Sequence, residues 1–264
     1  MSALMPSIFF GHGNPMIALQ QNSYTARWAA IGASLPRPTA ILSISAHWYI
    51  RDAAVTISAA PRTIHDFGGF PHELYQVQYP APGDQALAAR VQSLLAPLPV
   101  RRDDSWGLDH GTWSVLCHVY PQADVPVVQL SIDATQPPAF HYEIGRRLAP
   151  LREGGILILG SGNLVHNLRA YAWGEDGAPT AAKPYEWALS FEHHVRDLLL
   201  AADTAPLLDY QHRLGKEALL SVPTPEHYLP LLYVIGTQTP ADALTFPVEG
   251  IDGGSVSMLA VQVG

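Results

Sequence analysis

The chain has 264 residues, 48% hydrophobic and 14% charged, enough apolar material to bury a sizeable core. Its formal charge is −8 and its pI about 5.8, and its 15 Lys and Arg are scattered, which argues against the basic footprint of a nucleic-acid binder. No apolar run approaches the roughly 18 to 20 residues of a membrane span. Met1 to Phe10 lacks the basic start and small-residue cleavage site of a signal peptide. Cys117 is the single cysteine, so no internal disulfide can form and a reducing cytoplasm is the expected home.

In chain order, short apolar runs rich in β-branched residues predict strands over Ser7–Gly11 and Ala40–Ala46, with a weaker one over Val55–Ser58. A helix is predicted from the N-cap Asp84, with Leu87, Val91, Leu94 and Leu98 recurring every three or four residues. A strand over Val125–Ile132 follows. Next comes a helix after Pro138 (Phe140, Ile144, Leu148, Leu151) that stops near Gly154-Gly155. Ile156–Gly160 reads as a strand, the segment after Pro184 as a helix through Trp187, Phe191, Val195 and Leu198, and Leu244–Val248 and Met258–Val263 as closing strands. Proline and glycine are spread along the whole length, which favours one domain over residues 1–264. Apolar strands alternating with amphipathic helices predict an α/β fold, with a central, mostly parallel or mixed sheet flanked by helices.

Histidine is the unusual entry in the composition, with 12 residues. In open α/β sheets ligands bind outside the carboxyl ends of the strands. His12 directly follows the first predicted strand, His47 ends the second, and His166 closes the turn after the strand beginning at Ile156. His227 opens a late helical pattern, and His110 sits just before another. One such histidine would read as a hydrogen-bonded core or turn residue. Three at equivalent strand ends, among glycines that allow close backbone approach, point to a shared site. Imidazole suits Zn, Fe, Cu or Ni, and there is no thiolate set for a structural zinc cage. Two His with a carboxylate would suit non-haem Fe(II), and three His with water would suit catalytic zinc; the spacing leaves both open.

The other histidines read more plainly. His193 and His194 fall mid-helix outside any HExxH frame, and His118, His141 and His212 lack supporting neighbours. His65 and His72 flank Asp66-Phe67-Gly68-Gly69-Phe70-Pro71, either an ordinary turn or a mobile lid over an aromatic substrate. Gly160-Ser161-Gly162 lacks the spacing of a nucleophile elbow. No P-loop or G-x-G-x-x-G follows a strand, and Cys117 reads as a structural thiol within a helix.

Taken together, Gly11-His12-Gly13-Asn14-Pro15-Met16, Ser45-Ala46-His47-Trp48, Ile64 to Pro71, Asp109-His110-Gly111-Thr112-Trp113, Gly162-Asn163-Leu164-Val165-His166-Asn167 and Pro223 to Pro230 resemble the class III extradiol ring-cleavage dioxygenases. Within that family the resemblance is to the bacterial 4,5-DOPA extradiol type, and it runs from about Pro6 to the C-terminus. It implies cleavage of a catechol ring with O₂ at one divalent metal ion, with Fe(II) expected for activity and Zn(II) compatible with the same ligands. Carried over by position, His12, His47 and His227 are implied metal ligands. His166 is implied as a fourth ligand or as the acid/base, and His110 as a residue that binds substrate or dioxygen or shuttles a proton. Trp48, His65, Phe67, Phe70 and Trp113 are candidates to contact the substrate ring. The protocatechuate-type relatives complete the site with a glutamate. Here Glu226 adjoins His227, and on a helix the two would point about 100° apart, so His227 is preferred and Glu226 kept as the alternative.

The same histidines leave two rivals, a zinc-dependent hydrolase and a non-catalytic zinc-binding protein. His166 discriminates among them. Bound to the metal it would close the site, and set back it would leave room for chemistry.

Overall fold

The structure is a computed structural model that describes residues 4–174 and 182–264; the first three residues of the N-terminal stretch read above lie outside it. Six strands form the central sheet: β1 (Ser7–Gly11), β2 (Ala40–Ser45), β3 (Val127–Gln129), β4 (Ile156–Gly162), β5 (Leu244–Val248) and β6 (Ala260–Val263). Their order across the sheet is β3-β2-β4-β1-β6-β5. The first four run parallel, β6 is antiparallel to β1, and β5 is antiparallel to β6. The sheet is therefore mixed but mostly parallel. Every residue of β1, β2, β3 and β4 is buried, as expected for parallel strands covered on both faces.

Alternation along each strand feeds two cores. In β4, Ile156 and Ile158 face one side with Phe9, Leu42 and Val128; Leu157 and Leu159 face the other with Ile8, Phe10 and Ile41. The first core is closed by α2 (Gln85–Leu95), α4 (Pro138–Leu148), α5 (Glu186–Leu200) and α6 (Leu229–Gly236), and the second by α1 (Ser23–Ser34) and α3 (His110–Val119). Asp84 caps α2 as expected, its carboxylate accepting from the Ala86 and Leu87 amides. Pro138 opens α4, and the chain leaves the following 3₁₀ turn at Gly155, whose φ of 73° suits a residue without a Cβ.

Where the elements differ from expectation, pairing decided. The apolar run Val125–Ile132 splits: Val127–Gln129 joins the central sheet, while Ile132 and Asp133 pair with Tyr49 and Ile50. Met258–Val263 likewise yields only Ala260–Val263 to the sheet. The weak strand lies at Ala53–Thr56 and pairs with Val100–Asp103, whose Arg101 and Arg102 point to solvent and mask its pattern. α1 has few apolar anchors, Trp28 and Ile31 among them, but a full capping box between Asn22 and Thr25 starts it.

At the edge of the sheet before β1, Arg152 is 1% exposed. It donates to the Met5 and Thr237 carbonyls and makes two bonds of 2.7 and 2.8 Å to Asp242. The Arg152 hydrogen bonds hold the Asp242 carboxyl down to about 2. Removing one partner of a buried pair strands the other charge, so Asp242→Ala is expected to lower the unfolding free energy by about 3–5 kcal/mol. Urea titration would check this against Arg146→Ala, whose exposed pairing with Glu143 is worth less than about 1 kcal/mol. Because the folded pKa is depressed, the Asp242 contribution is present above pH 3.8 and lost as pH falls through about 2.

Candidate active site

β2, β4 and β1 are adjacent and parallel, with Ser45 level with Ser161 and Gly11 with Gly162. Their carboxyl ends therefore open onto one edge, and the chain delivers His12 one residue and His47 two residues beyond their strands. His227 arrives from the other core. It lies in the turn before α6, where its carbonyl accepts from the Asn163 amide at 2.9 Å. Gly162 makes this approach possible, since a Cβ there would sit 2.1 Å from the His227 carbonyl oxygen. The ligand atoms of His12, His47 and His227 lie within 4.8 Å of one another. His12 Nε2 and His47 Nε2 are 3.2 Å apart. Two nitrogens bound at about 2.0–2.1 Å to one tetrahedral ion would be about 3.3–3.4 Å apart, so this pair lies close to the spacing a shared metal needs.

Each of the three rings has an acceptor behind its Nδ1, and two of those acceptors are hydrogen-bonded to it. Ser161 donates its only hydroxyl proton to the Gly111 carbonyl at 2.5 Å, so at 2.9 Å from His12 it can only accept, and His12 must carry its proton on Nδ1. His227 Nδ1 faces the Glu226 carboxylate at 3.1 Å, and His47 Nδ1 lies 3.4 Å from Asp66. This leaves the Nε2 lone pairs facing inward, the arrangement of metal-binding histidines. Burial pushes the pKa of His12, His47 and His227 down, which favours the neutral form that a metal ligand needs. Burial opposes ionisation of Glu226, but its hydrogen bond with His227 holds it at about 2.

His110 is the first residue of α3. Asp66 accepts from its backbone amide at 2.8 Å and from Nδ1 at 2.9 Å, which fixes the ring and leaves Nε2 bare. Burial raises the Asp66 carboxyl, but the His110 hydrogen bonds outweigh it and the net shift is downward. Gly111 lets the helix start seat against His47, whose Cδ2 would lie 2.8 Å from an added Cβ. The His110 and His47 ring centroids are 3.8 Å apart.

His166 stands differently. It groups with Glu226 and His227, not with His12 and His47. Its ring stacks on His227 at 3.5 Å with an 11° interplanar angle. Burial lowers its pKa too. Nor do Glu226 and His227 lie on a helix as the sequence suggests: they occupy a turn. The carboxylate reaches the back of the His227 ring there, not its inward edge.

The five histidines His12, His47, His110, His166 and His227 line one cavity of about 190 Å³, with Phe67 and Phe70 on its wall. Trp48, His65 and Trp113, expected from the sequence to contact the substrate, are not among the residues that line this cavity. Trp48 is 2% exposed and stacks on Trp106 at 5.4 Å. Trp113 is buried and donates Nε1–H to the Ile64 carbonyl. His65 bonds the Val77 carbonyl. Trp113 and His65 support the loop that carries Phe67. Asn14, Pro15, Leu168, Tyr171, Trp173 and Val256 complete the wall without having been assigned to it from sequence. Asn14 lies inside a recognisable motif, but nothing local marks Leu168, Tyr171 or Trp173.

A buried imidazole cluster at the strand ends of a mixed sheet, under an aromatic loop, fits an enzyme that holds a divalent metal ion. Residues 12–238 match the family described as the catalytic LigB subunit of aromatic ring-opening dioxygenase. The 4,5-DOPA dioxygenase extradiol of Escherichia coli K12 is 52% identical, over 100% of this chain and 96% of that protein. Its counterpart in Beta vulgaris is 35% identical, over 95% and 93%. The crystal structure of an uncharacterized protein from Escherichia coli K12 superposes with a TM-score of 0.84 at 48% identity, covering 98% and 100% of the two chains. The chain belongs to this family and is an extradiol ring-cleaving oxidoreductase. No described helix is long and apolar enough to cross a membrane.

Asp66 ties the Phe67–Phe70 loop to α3 and orients two imidazoles, so Asp66→Ala is expected to cost about 1–3 kcal/mol. Hydrogen exchange should speed up at residues 65–70 and at the first turn of α3 while the amides of β4 stay protected.

Proposed function

We propose that the whole chain acts as one catalytic domain that binds a ferrous ion through His12, His47 and His227 and opens the ring of a substituted catechol, DOPA being the compound named for its relatives. The observation that carries this is the 3.2 Å approach of His12 and His47, with the Nδ1 atoms of His12 and His227 hydrogen-bonded from behind. Zn(II) would suit the same donors without supporting oxygen chemistry. Bound iron would supply open positions where catechol oxygens and O₂ meet. The cytoplasm suits both the metal's reduced state and the single half-buried thiol, Cys117.

His110 is the proposed base. Its bare Nε2 faces the cavity, and Asp66 at Nδ1 would stabilise the imidazolium that forms on taking a catechol hydroxyl proton. His166, whose neutral form burial favours, is the second acid/base: it takes the proton of the other catechol hydroxyl and later returns it to the opened product. Its place outside the tight three-histidine set favours this role over that of a fourth ligand. Phe67 and Phe70 would pack the ring and exclude water. The zinc hydrolase and the non-catalytic zinc protein are not favoured, because the family and its named relatives are ring-opening dioxygenases.

Metal-free protein reconstituted without oxygen, then exposed to air and a catechol panel, is expected to consume O₂ and form a visible-absorbing product with Fe(II) only. Silence with iron, together with tight zinc binding, would sink the proposal. His110→Ala and His166→Ala should each lower kcat by about 10²- to 10⁴-fold with metal content unchanged; unaltered turnover in both would remove the acid/base assignment. Glu226→Ala should weaken metal binding by about 10- to 100-fold, read by equilibrium dialysis against a chelator.

A further inference from the structure

We infer that Tyr171 and Trp173, backed by Asp252, form a subsite for a positively charged ring substituent, so that the site favours catechols bearing an ammonium group on a short alkyl arm. This rests on the ring-cleavage reading and narrows its substrate class. A catechol whose hydroxyls reach the imidazoles presents its substituent to the remaining cavity wall, to which Tyr171 and Trp173 belong. Their ring centroids are 4.4 Å apart with an interplanar angle of 56°, so the two rings meet as a corner and not as a stack. A cation is attracted to an aromatic face within about 6 Å of its centroid, most strongly to Trp. One ammonium at that corner can therefore meet both rings.

Backbone packing fixes the corner. The Ala172 amide donates to the Gly253 carbonyl at 2.9 Å, which pins the segment to the short hairpin of Ile251–Asp252 and Val256–Ser257. Tyr171 lies against Gly253, where a Cβ would come within 2.2 Å of its ring. Tyr171 is thus held at 6% exposure, whereas Trp173 is 44% exposed and stands at the cavity mouth.

Asp252 supplies the negative charge. The Tyr171 hydroxyl donates to the Asp252 carboxylate and accepts from Asn14 Nδ2 at 3.2 Å. A phenol that donates to a carboxylate gains electron density in its ring, which strengthens the face a cation meets. Burial raises the Asp252 carboxyl, and the Tyr171 bond opposes that shift. Asp66 and Glu226, behind the imidazoles, add a field of the same sign. An uncharged alkyl arm would gain from burial alone.

The test separates binding from turnover. Zn(II)-loaded protein is titrated calorimetrically without oxygen with dopamine, whose arm ends in an ammonium, and with 4-propylcatechol, which carries a methyl in its place. Dopamine should bind at least about fivefold more tightly. Trp173→Leu removes the stronger face at a half-exposed position, and Asp252→Asn removes the charge while leaving Tyr171 an acceptor. Each should cut the ratio of the two affinities by at least about threefold, and kcat/KM of the iron-loaded enzyme should follow the same order. Equal or tighter binding of 4-propylcatechol overturns the inference, as does a ratio that either substitution leaves unmoved. If the iron form cleaves neither catechol, the ring-cleavage reading fails, while the ratio of affinities still decides this one.

Discussion

An imidazole offers a lone pair at Nε2 only while its proton sits on Nδ1, and in this protein two acceptors hold that proton in place and a third lies behind the remaining ring. Ser161 faces His12, Asp66 lies behind His47, and Glu226 bonds His227. The arrangement needs those acceptors on the outer side of each ring and three Nε2 atoms converging inside. The first condition depends on the parallel register that sets Ser161 beside the end of β1. The second depends on how closely the His227 turn packs against β4. Burial makes the result self-consistent: desolvation keeps the rings neutral, and neutral rings are the ones that can be tied back through a single N–H.

Asp66 joins the imidazole cluster to the aromatic cover. One carboxylate caps the start of α3, fixes His110, approaches His47 and pins the segment that carries Phe67 and Phe70. The loop is therefore not an independent flap. Trp113 and His65 hold its near side through the Ile64 and Val77 carbonyls, and only Gly68 and Gly69 stand fully exposed at its tip. A cover built this way can exclude water over the ring while the hydrogen-bonding base keeps its orientation.

The two edges of the sheet handle buried charge by opposite means. Before β1, Arg152 is saturated by three backbone carbonyls and Asp242, an arrangement with no free donor direction toward a ligand. At the carboxyl edge the buried polar groups are fixed on one side only, and their free sides converge on the cavity. That asymmetry separates a stability device from a site.

The sequence by itself determined the α/β class, most strand and helix positions, and the histidines worth watching. Continuous apolar runs, 3.6-residue periods, caps and Gly-His motifs are local properties that need no partner. It also carried the family resemblance, because motifs such as Gly11 to Met16 and Pro223 to Pro230 are contiguous. Only the tertiary structure decided that Val125–Ile132 divides between two sheets and that Trp48 and Trp113 lie under the cavity wall, not on it. The same holds for Leu168, Tyr171 and Trp173 lining the cavity with His12, and for Glu226 backing His227 from a turn. Each of these is set by strand register and by which side of a packed layer a side chain meets. Both depend on residues tens to hundreds of positions away, and local pattern does not encode them.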